Sequence, residues 1–188
     1  MTLLLVGLGN VGKQYSNTRH NAGFWFVEQF AQKYNISLTT DKKFHALVGH
    51  QKINGVDVRL CLPTTLMNLS GKAVAPMMQF YQVAPDALIV AHDELDIACG
   101  MIKLKTDGGH GGHNGLRDII PHTGTAFHRL RIGIGRPTHG NVASFVLSAP
   151  TSDERLSIDN AINHALQHSD LLLAGDYEKA RSYINAHK

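Results

Sequence analysis

Two residues have the chemistry to activate a water molecule: a histidine in a polar loop and a carboxylate that follows an apolar run. His20 lies between Arg19 and Asn21, away from any apolar stripe that would suggest a buried structural histidine. Asp93 comes just after the apolar residues 88–91. Such a carboxylate can orient an imidazole and stabilise its cation, so that the histidine removes a proton from water. We therefore predict that the two form a general-base pair, although each alone could equally be a surface or capping residue.

Water is the nucleophile that this pair predicts. The chain has no GxSxG motif, and neither Ser70 nor Cys61 carries the signature of an activated nucleophile. A metal-dependent alternative would join Asp93 to nearby histidines, namely His92, His110 and His113. The HxxH spacing falls in a glycine loop and lacks the helical geometry of a zinc protease, so we expect no metal.

Three asparagines stand in loops, beside a glycine or at a strand-to-helix junction: Asn10, Asn68 and Asn114. Amide side chains at such places often make only local turn bonds. Near a His–Asp pair, they would also supply donors to a carbonyl oxygen and acceptors for amide N–H groups, as the hydrolysis of a peptide ester requires.

Two predicted strands carry a basic face. Lys103 and Lys105 alternate with apolar residues, as do Arg129 and Arg131, so each pair lies about 6.6 Å apart on one side of its strand. Such a face is often only solvated. Because both strands border the glycine-rich segment 108–115, an anion site built from lysines and backbone N–H groups is a further prediction.

The glycines near the N-terminus resemble nucleotide-binding motifs without their companions. Gly7, Gly9 and Gly12 fit GxGxxG, but no apolar helical period and no well-placed acidic residue follow. A phosphate-binding loop is also disfavoured, because Gln14 follows Lys13 where a serine or threonine would be needed. We predict no nucleotide cofactor.

Apolar periodicity predicts an α/β fold: one twisted, mixed and largely parallel sheet with helices on both faces. Strands are predicted at residues 3–6, 56–62, 88–91, 102–104 and 130–134. Helices are predicted after a cap at Asn21, behind a cap at Ser70, from a capping box at Thr151 and Glu154, and over residues 177–184. Asp93 then lies at the carboxyl end of a strand, where open α/β sheets place their sites.

Length and composition fit a single domain over residues 1–188. No apolar run approaches the ~20 residues that span a bilayer, and no secretory leader is evident, so we expect a cytoplasmic protein. Cys61 and Cys99 suggest neither a disulfide framework nor a zinc site. The excess of 18 basic over 15 acidic residues is compatible with nucleic-acid binding if the charge is concentrated.

Five segments together resemble the bacterial peptidyl-tRNA hydrolases, in the same order and over nearly the whole chain. They read GLGNVGKQYSNTRHNAG, LPTTLMNLSGKAV, VAHDELD, GGHGGHNGLRDI and FHRLRIGIGRP. The resemblance implies a monomeric, metal-independent α/β enzyme without cofactor or obligatory protein partner, which frees tRNA from peptidyl-tRNA.

The resemblance also implies roles for individual residues. His20 would be the general base, Asp93 would stabilise it, and Asn10 would help to distinguish N-blocked from free aminoacyl ends. Peptide and tRNA 3′-end contacts would come from the channel residues Tyr15, Leu66, Met67, Asn68, His113 and Asn114. The tRNA phosphate would be held by Lys103, Lys105 and Arg131.

The chain departs from the family pattern at several positions outside the predicted catalytic set. Val11 stands where proline is usual, Leu66 where an aromatic residue is common, and Asp107 where the glycine run usually begins. A less rigid turn at Val11 and a negative charge beside Lys105 predict weaker tRNA binding rather than altered chemistry.

Two rival functions are a non-catalytic RNA-binding relative of the same fold and a metal-dependent phosphoesterase.

Overall fold

Seven strands form one sheet in the computed structural model, which describes all residues 1–188. In chain order they are β1 Thr2–Gly7, β2 Thr39–Asp41, β3 Ala46–Ile53, β4 Val56–Pro63, β5 Leu88–Glu94, β6 Ile102–Thr106 and β7 His128–Gly133. Across the sheet the order is β2-β3-β4-β1-β5-β7-β6. The four central strands β4, β1, β5 and β7 run parallel, and β3 and β6 pair antiparallel with β4 and β7.

Helices cover both faces of this sheet. They are α1 Ala22–Lys33, α2 Gly71–Phe80, α3 Asn114–Thr123, α4 Val142–Val146, α5 Ser152–Gln167, α6 Ser169–Leu173 and α7 Tyr177–Ile184. Short 3-10 turns occupy Arg19–Asn21, Met67–Leu69 and Pro85–Ala87. No helix is long and apolar enough to cross a membrane.

The alternation of side chains along β1 divides the core into two layers. Leu3 and Leu5 pack with α1, α5, α6 and α7, whereas Leu4 and Val6 pack with α2 and α3. Both faces of the central strands are therefore buried, as expected for parallel strands. The α/β class with a mixed, largely parallel sheet between helical layers is confirmed.

Two predicted helix caps do not form with their side chains. α1 and α2 begin directly after Asn21 and Ser70, but neither side chain caps its helix. Ser70 Oγ instead donates to the carbonyl oxygen of Met67, at 2.6 Å, and Asn21 is engaged with another loop. The capping box of Thr151 and Glu154 does form, at the start of α5.

Glycines at the end of β1 and at the start of α1 allow close packing. A Cβ at Gly7 would lie 2.4 Å from the carbonyl oxygen of Gly23, and one at Gly23 would lie 2.3 Å from that of Ala91. These glycines let the N-terminus of α1 touch the ends of β1 and β5. The same contact brings the turn that carries His20 against β5.

Candidate active site

The predicted His–Asp pair is formed at the carboxyl end of β5. His20 Nδ1 lies 2.9 Å from Asp93 Oδ2, and both side chains are buried. Asp93 belongs to the last part of β5, where it pairs with Ile132 of β7, so the strand extends beyond its apolar run. His20 Nε2 has no protein partner and the residue lines a cavity of about 280 Å³. The pair thus has a buried, oriented side and a side open to small molecules.

Burial and the contacts within the site shift the pKa values of His20 and Asp93 in opposite directions. Burial favours neutral forms, but the pKa of His20 is nevertheless raised because the Asp93 carboxylate stabilises its cation. Burial would likewise raise the pKa of Asp93, but His113 and His20 hold it well below its usual range. Asp93 is therefore a permanent carboxylate at neutral pH.

A second histidine completes the surroundings of Asp93. His113 Nε2 lies 2.8 Å from Asp93 Oδ1, while its Nδ1 accepts hydrogen bonds from the backbone N–H groups of Gly115 and Leu116 at 3.1 and 3.4 Å. His113 is thus the side-chain cap of α3 as well as a partner of Asp93. The resemblance had suggested only a place in the channel wall, where the residue also lies.

His20, Asp93 and His113 place ligand-type atoms within 4.8 Å of one another, a spacing that a metal ion could use. The hydrogen bonds disfavour that use. Because two backbone N–H groups face Nδ1 of His113, the proton of the neutral ring resides on Nε2. A metal at Nε2 would require the loss of this proton and of the bond to Asp93. The set also differs from the histidines considered from sequence, since His92 and His110 are not part of it.

Asn10 is fixed by two reciprocal contacts. Its backbone N–H donates to Asn21 Oδ1 at 2.8 Å, and its carbonyl oxygen accepts from Asn21 Nδ2 at 2.9 Å. Its side-chain oxygen accepts from the backbone N–H of Met67 at 3.0 Å, which leaves the amide N–H₂ available. Asn21, considered from sequence only as a cap, is therefore the residue that holds the Asn10 loop.

The other predicted substrate residues line a shallower cavity that shares His20 and Asn114 with the first. The structure brings together here Asn10, Tyr15, Leu66, Met67, Asn68 and Asn114. Asn68 and Asn114 are exposed and Met67 is buried. The two cavities form a groove that passes the unpartnered nitrogen of His20.

One wall of this groove was not expected from sequence. Ala143 and Val146 of α4 line both cavities of the groove, and Val142 lines the deeper one. Arg19 holds the segment that follows α4 in place, because its guanidinium donates to Ser148 Oγ at 2.6 Å and to Glu154 Oε1 of α5 at 3.2 Å. The apolar helix of five residues has too little periodicity to be recognised from sequence.

The basic faces of β6 and β7 do meet. The register pairs Lys103 with Arg131 and Lys105 with Arg129, and a cavity of about 350 Å³ lies beside Lys105, Arg129 and Arg131. Lys105 is exposed, whereas Arg131 Nε lies 3.0 Å from Glu94 Oε1. Lys103 does not line this cavity.

Arg129 has a structural task at the same place. It is buried, and its guanidinium donates to the carbonyl oxygens of Gly108 and Gly109 and, at 3.1 Å, to that of Thr125. It thereby ties the glycine-rich loop to β7. The unusual Asp107 has a left-handed backbone, with φ of 67°, and accepts from the Gly108 N–H at 2.7 Å.

Fold and site together define an α/β domain with a buried His–Asp pair at the carboxyl ends of its parallel strands. Residues 4–188 match the family model described as peptidyl-tRNA hydrolase. The chain belongs to the peptidyl-tRNA hydrolase family.

Individual relatives agree over nearly their whole length. The chain is 59% identical to the peptidyl-tRNA hydrolase of Psychrobacter arcticus, over 98% of this chain and 96% of that one. Identity to the Acinetobacter baylyi enzyme is 55%, with the same coverage. A crystal structure of peptidyl-tRNA hydrolase from Acinetobacter baumannii superposes with a TM-score of 0.97 at 56% identity, covering 100% of this chain and 96% of that one.

Proposed function

We propose that this protein hydrolyses the ester that joins a peptide to tRNA, with water activated by His20 and Asp93. Membership of the family supports the reaction class. The observation that carries the mechanism is the contact of 2.9 Å between His20 Nδ1 and Asp93 Oδ2, with Nε2 facing the groove. A His–Asp pair in this arrangement can act on water without a covalent enzyme intermediate.

The reaction starts with His20 neutral and its Nδ1–H directed at Asp93. His20 Nε2 takes a proton from water while the water oxygen attacks the ester carbonyl carbon. The imidazolium that forms is stabilised by the Asp93 carboxylate. When the tetrahedral intermediate collapses, the bond to the ribose oxygen breaks, and that oxygen receives the proton from Nε2. The products are a peptide with a free carboxyl group and a tRNA with a free hydroxyl.

The amides of the groove supply the polar contacts of this reaction. We assign the free N–H₂ group of Asn10 to a carbonyl oxygen near the scissile ester, because its other polar atoms are already bonded. Asn68 and Asn114 lie exposed along the groove, where they can bind peptide backbone and the tRNA 3′ end. Tyr15, Leu66 and Met67 would line the channel, and Leu66 is 64% exposed.

The basic face would hold tRNA phosphate. Lys105 is the best placed member, since it is exposed at a cavity that adjoins the glycine-rich loop. Arg131 is paired with the Glu94 carboxylate, and Lys103 lies opposite Arg131 in the register. We therefore assign Arg131 and Lys103 a weaker electrostatic role. We further propose a cytoplasmic enzyme over residues 1–188 that works as a monomer without a cofactor.

The decisive experiment measures release of tRNA from N-acetyl-aminoacyl-tRNA and from unblocked aminoacyl-tRNA, with and without EDTA. We expect turnover of the blocked substrate that EDTA does not change. His20→Ala should lower kcat by ~10² to 10⁴, the usual worth of a general base. His122→Ala is the matched control, because this exposed histidine lies at the far end of α3.

Each rival function predicts a different outcome. Loss of activity with EDTA would favour the metal-dependent phosphoesterase. Binding of tRNA without any turnover would favour the non-catalytic relative. A His20→Ala variant with near-normal kcat would contradict the assignment of the base, even if the substrate is hydrolysed.

A further inference from the structure

His113 is held at both of its ring nitrogens. Its Nδ1 accepts from the N–H groups of Gly115 and Leu116 at the start of α3, and its Nε2 contacts Asp93 at 2.8 Å. A backbone N–H can only donate, so Nδ1 must present its lone pair. The single proton of a neutral ring then lies on Nε2 and is donated to Asp93. Protonation of Nδ1 would break the cap of α3.

His20 contacts the other oxygen of the same carboxylate but is held on one side only. Its Nδ1 faces Asp93, and its Nε2 faces the groove without a protein partner. The two rings lie close, with 5.1 Å between their centroids. Asp93 is therefore shared by one imidazole that can take up a proton and one whose second nitrogen is occupied.

Few other charges face these rings. From β5, His92 lies 5.1 Å from the His113 ring and donates from Nδ1 to the Asp93 carbonyl oxygen. Burial lowers the pKa of His92 to about 3, so this ring is neutral. α4 contributes only apolar side chains. The remaining charged groups near the three rings are Glu94 of β5, which bonds Arg131 of β7, Arg129 of β7, whose charge acts on His92, and Arg19, which bonds Glu154 of α5.

We propose that His113 is a positioning residue that acts through Asp93. As a neutral ring it fixes the carboxylate and, by donating a hydrogen bond to it, reduces the negative charge that the carboxylate presents to His20. His20 is then the only ring of the three that exchanges protons during turnover. A donor on Asp93 weakens the hold of the carboxylate on the His20 cation, so the base is regenerated at lower pH than with Asp93 alone. This inference rests on the ester hydrolysis proposed above.

Two variants separate this role from the capping of α3. His113→Asn keeps a short side-chain oxygen, which is a preferred helix cap, but withdraws the donor from Asp93. His113→Gln is longer and keeps an amide N–H near the position of Nε2, but loses the capping acceptor. Asp176→Ala removes the cap of α7 and controls for a general loss of stability.

Activity is measured as kcat/KM against pH on N-acetyl-aminoacyl-tRNA. In His113→Asn, the full Asp93 charge should raise the His20 pKa, and the acid limb should move to higher pH by roughly half to one unit. His113→Gln should keep the wild-type midpoint but lower Tm by about 2–4 °C, as should Asp176→Ala. A midpoint that stays unchanged in His113→Asn, or moves in His113→Gln instead, would overturn the proposal.

Histidine ¹⁵N NMR of the wild-type protein and of His113→Asn tests the same idea without turnover. We expect His20 to titrate while His113 keeps its Nε2–H tautomer, and His20 to titrate at higher pH in the variant. A His113 ring with its proton on Nδ1 would refute the inference. If the wild-type protein failed to hydrolyse the ester, this titration would still decide the hydrogen-bond arrangement, so the two failures remain distinct.

Discussion

Replacing Asp93 with Asn should remove the base while moving almost no heavy atom. The amide has one accepting oxygen and one donating nitrogen. Because His113 must donate from Nε2, it takes the oxygen. The amide N–H₂ then faces His20 Nδ1, which must accept, so the His20 proton moves to Nε2. That nitrogen is the one that should take a proton from water.

The expected loss is the whole contribution of general-base catalysis. This amounts to ~10² to 10⁴ in kcat, or about 3–5 kcal/mol of activation free energy. Asparagine at the corresponding position of the Ser-His-Asp triad acts through the same exchange of tautomers. Asp93 is buried and its side chain is nearly isosteric with Asn, so the fold should persist.

Single-turnover release from N-acetyl-aminoacyl-tRNA, with enzyme in excess, measures the chemical step over a range of pH. Asp170→Asn, at an exposed position of α6, is the matched control. Raising the pH should not restore Asp93→Asn, because the wrong tautomer persists after deprotonation of the cation. A rate within about fivefold of wild type, or recovery at alkaline pH, would refute the tautomer reasoning.

Three further predictions concern binding, packing and stability. Lys105→Ala should raise KM for peptidyl-tRNA and reduce the salt dependence of tRNA binding by about one phosphate contact, without slowing hydrolysis of a minimal esterified nucleotide. An equal loss of activity on both substrates would contradict the phosphate contact. Gly23→Ala should cost about 1–3 kcal/mol in a denaturant titration, because its Cβ would lie 2.3 Å from the Ala91 carbonyl oxygen. Asp93 has a depressed pKa, so its contribution to stability is present above the ordinary carboxyl pKa and lost as pH falls through the folded-state value. Below about pH 4, the free energy of unfolding from urea titrations should therefore fall more with decreasing pH for the wild-type protein than for Asp93→Asn. Parallel pH curves would contradict this.

The fold class was accessible from sequence because burial leaves a periodic pattern. Alternation along β4, β6 and β7 and the capping box of α5 are local features, and the structure confirms them. β2 and β3 escaped prediction because their residues are mostly exposed or half-buried and lack clean alternation.

The residues that could carry the chemistry of the site were also predicted from sequence, but their hydrogen-bond partners were largely not. His20 and Asp93 are 73 positions apart, and only the parallel pairing of β1 with β5 and the close approach at Gly23 bring them together. Asn21 could be taken for a cap from local pattern alone, since its true partner, Asn10, lies in another loop.

The amino-acid order alone indicated five of the seven strands, four of the seven helices and the side chains that can act as base, carboxylate, amide donor or cation. Tertiary structure alone decided that His113 shares Asp93 with His20, and that Arg129 ties the glycine loop while Lys105 stays exposed. Periodicity records whether a residue faces the core, which is a local property. Hydrogen-bond partners depend on strand order and loop geometry, which the whole chain sets together.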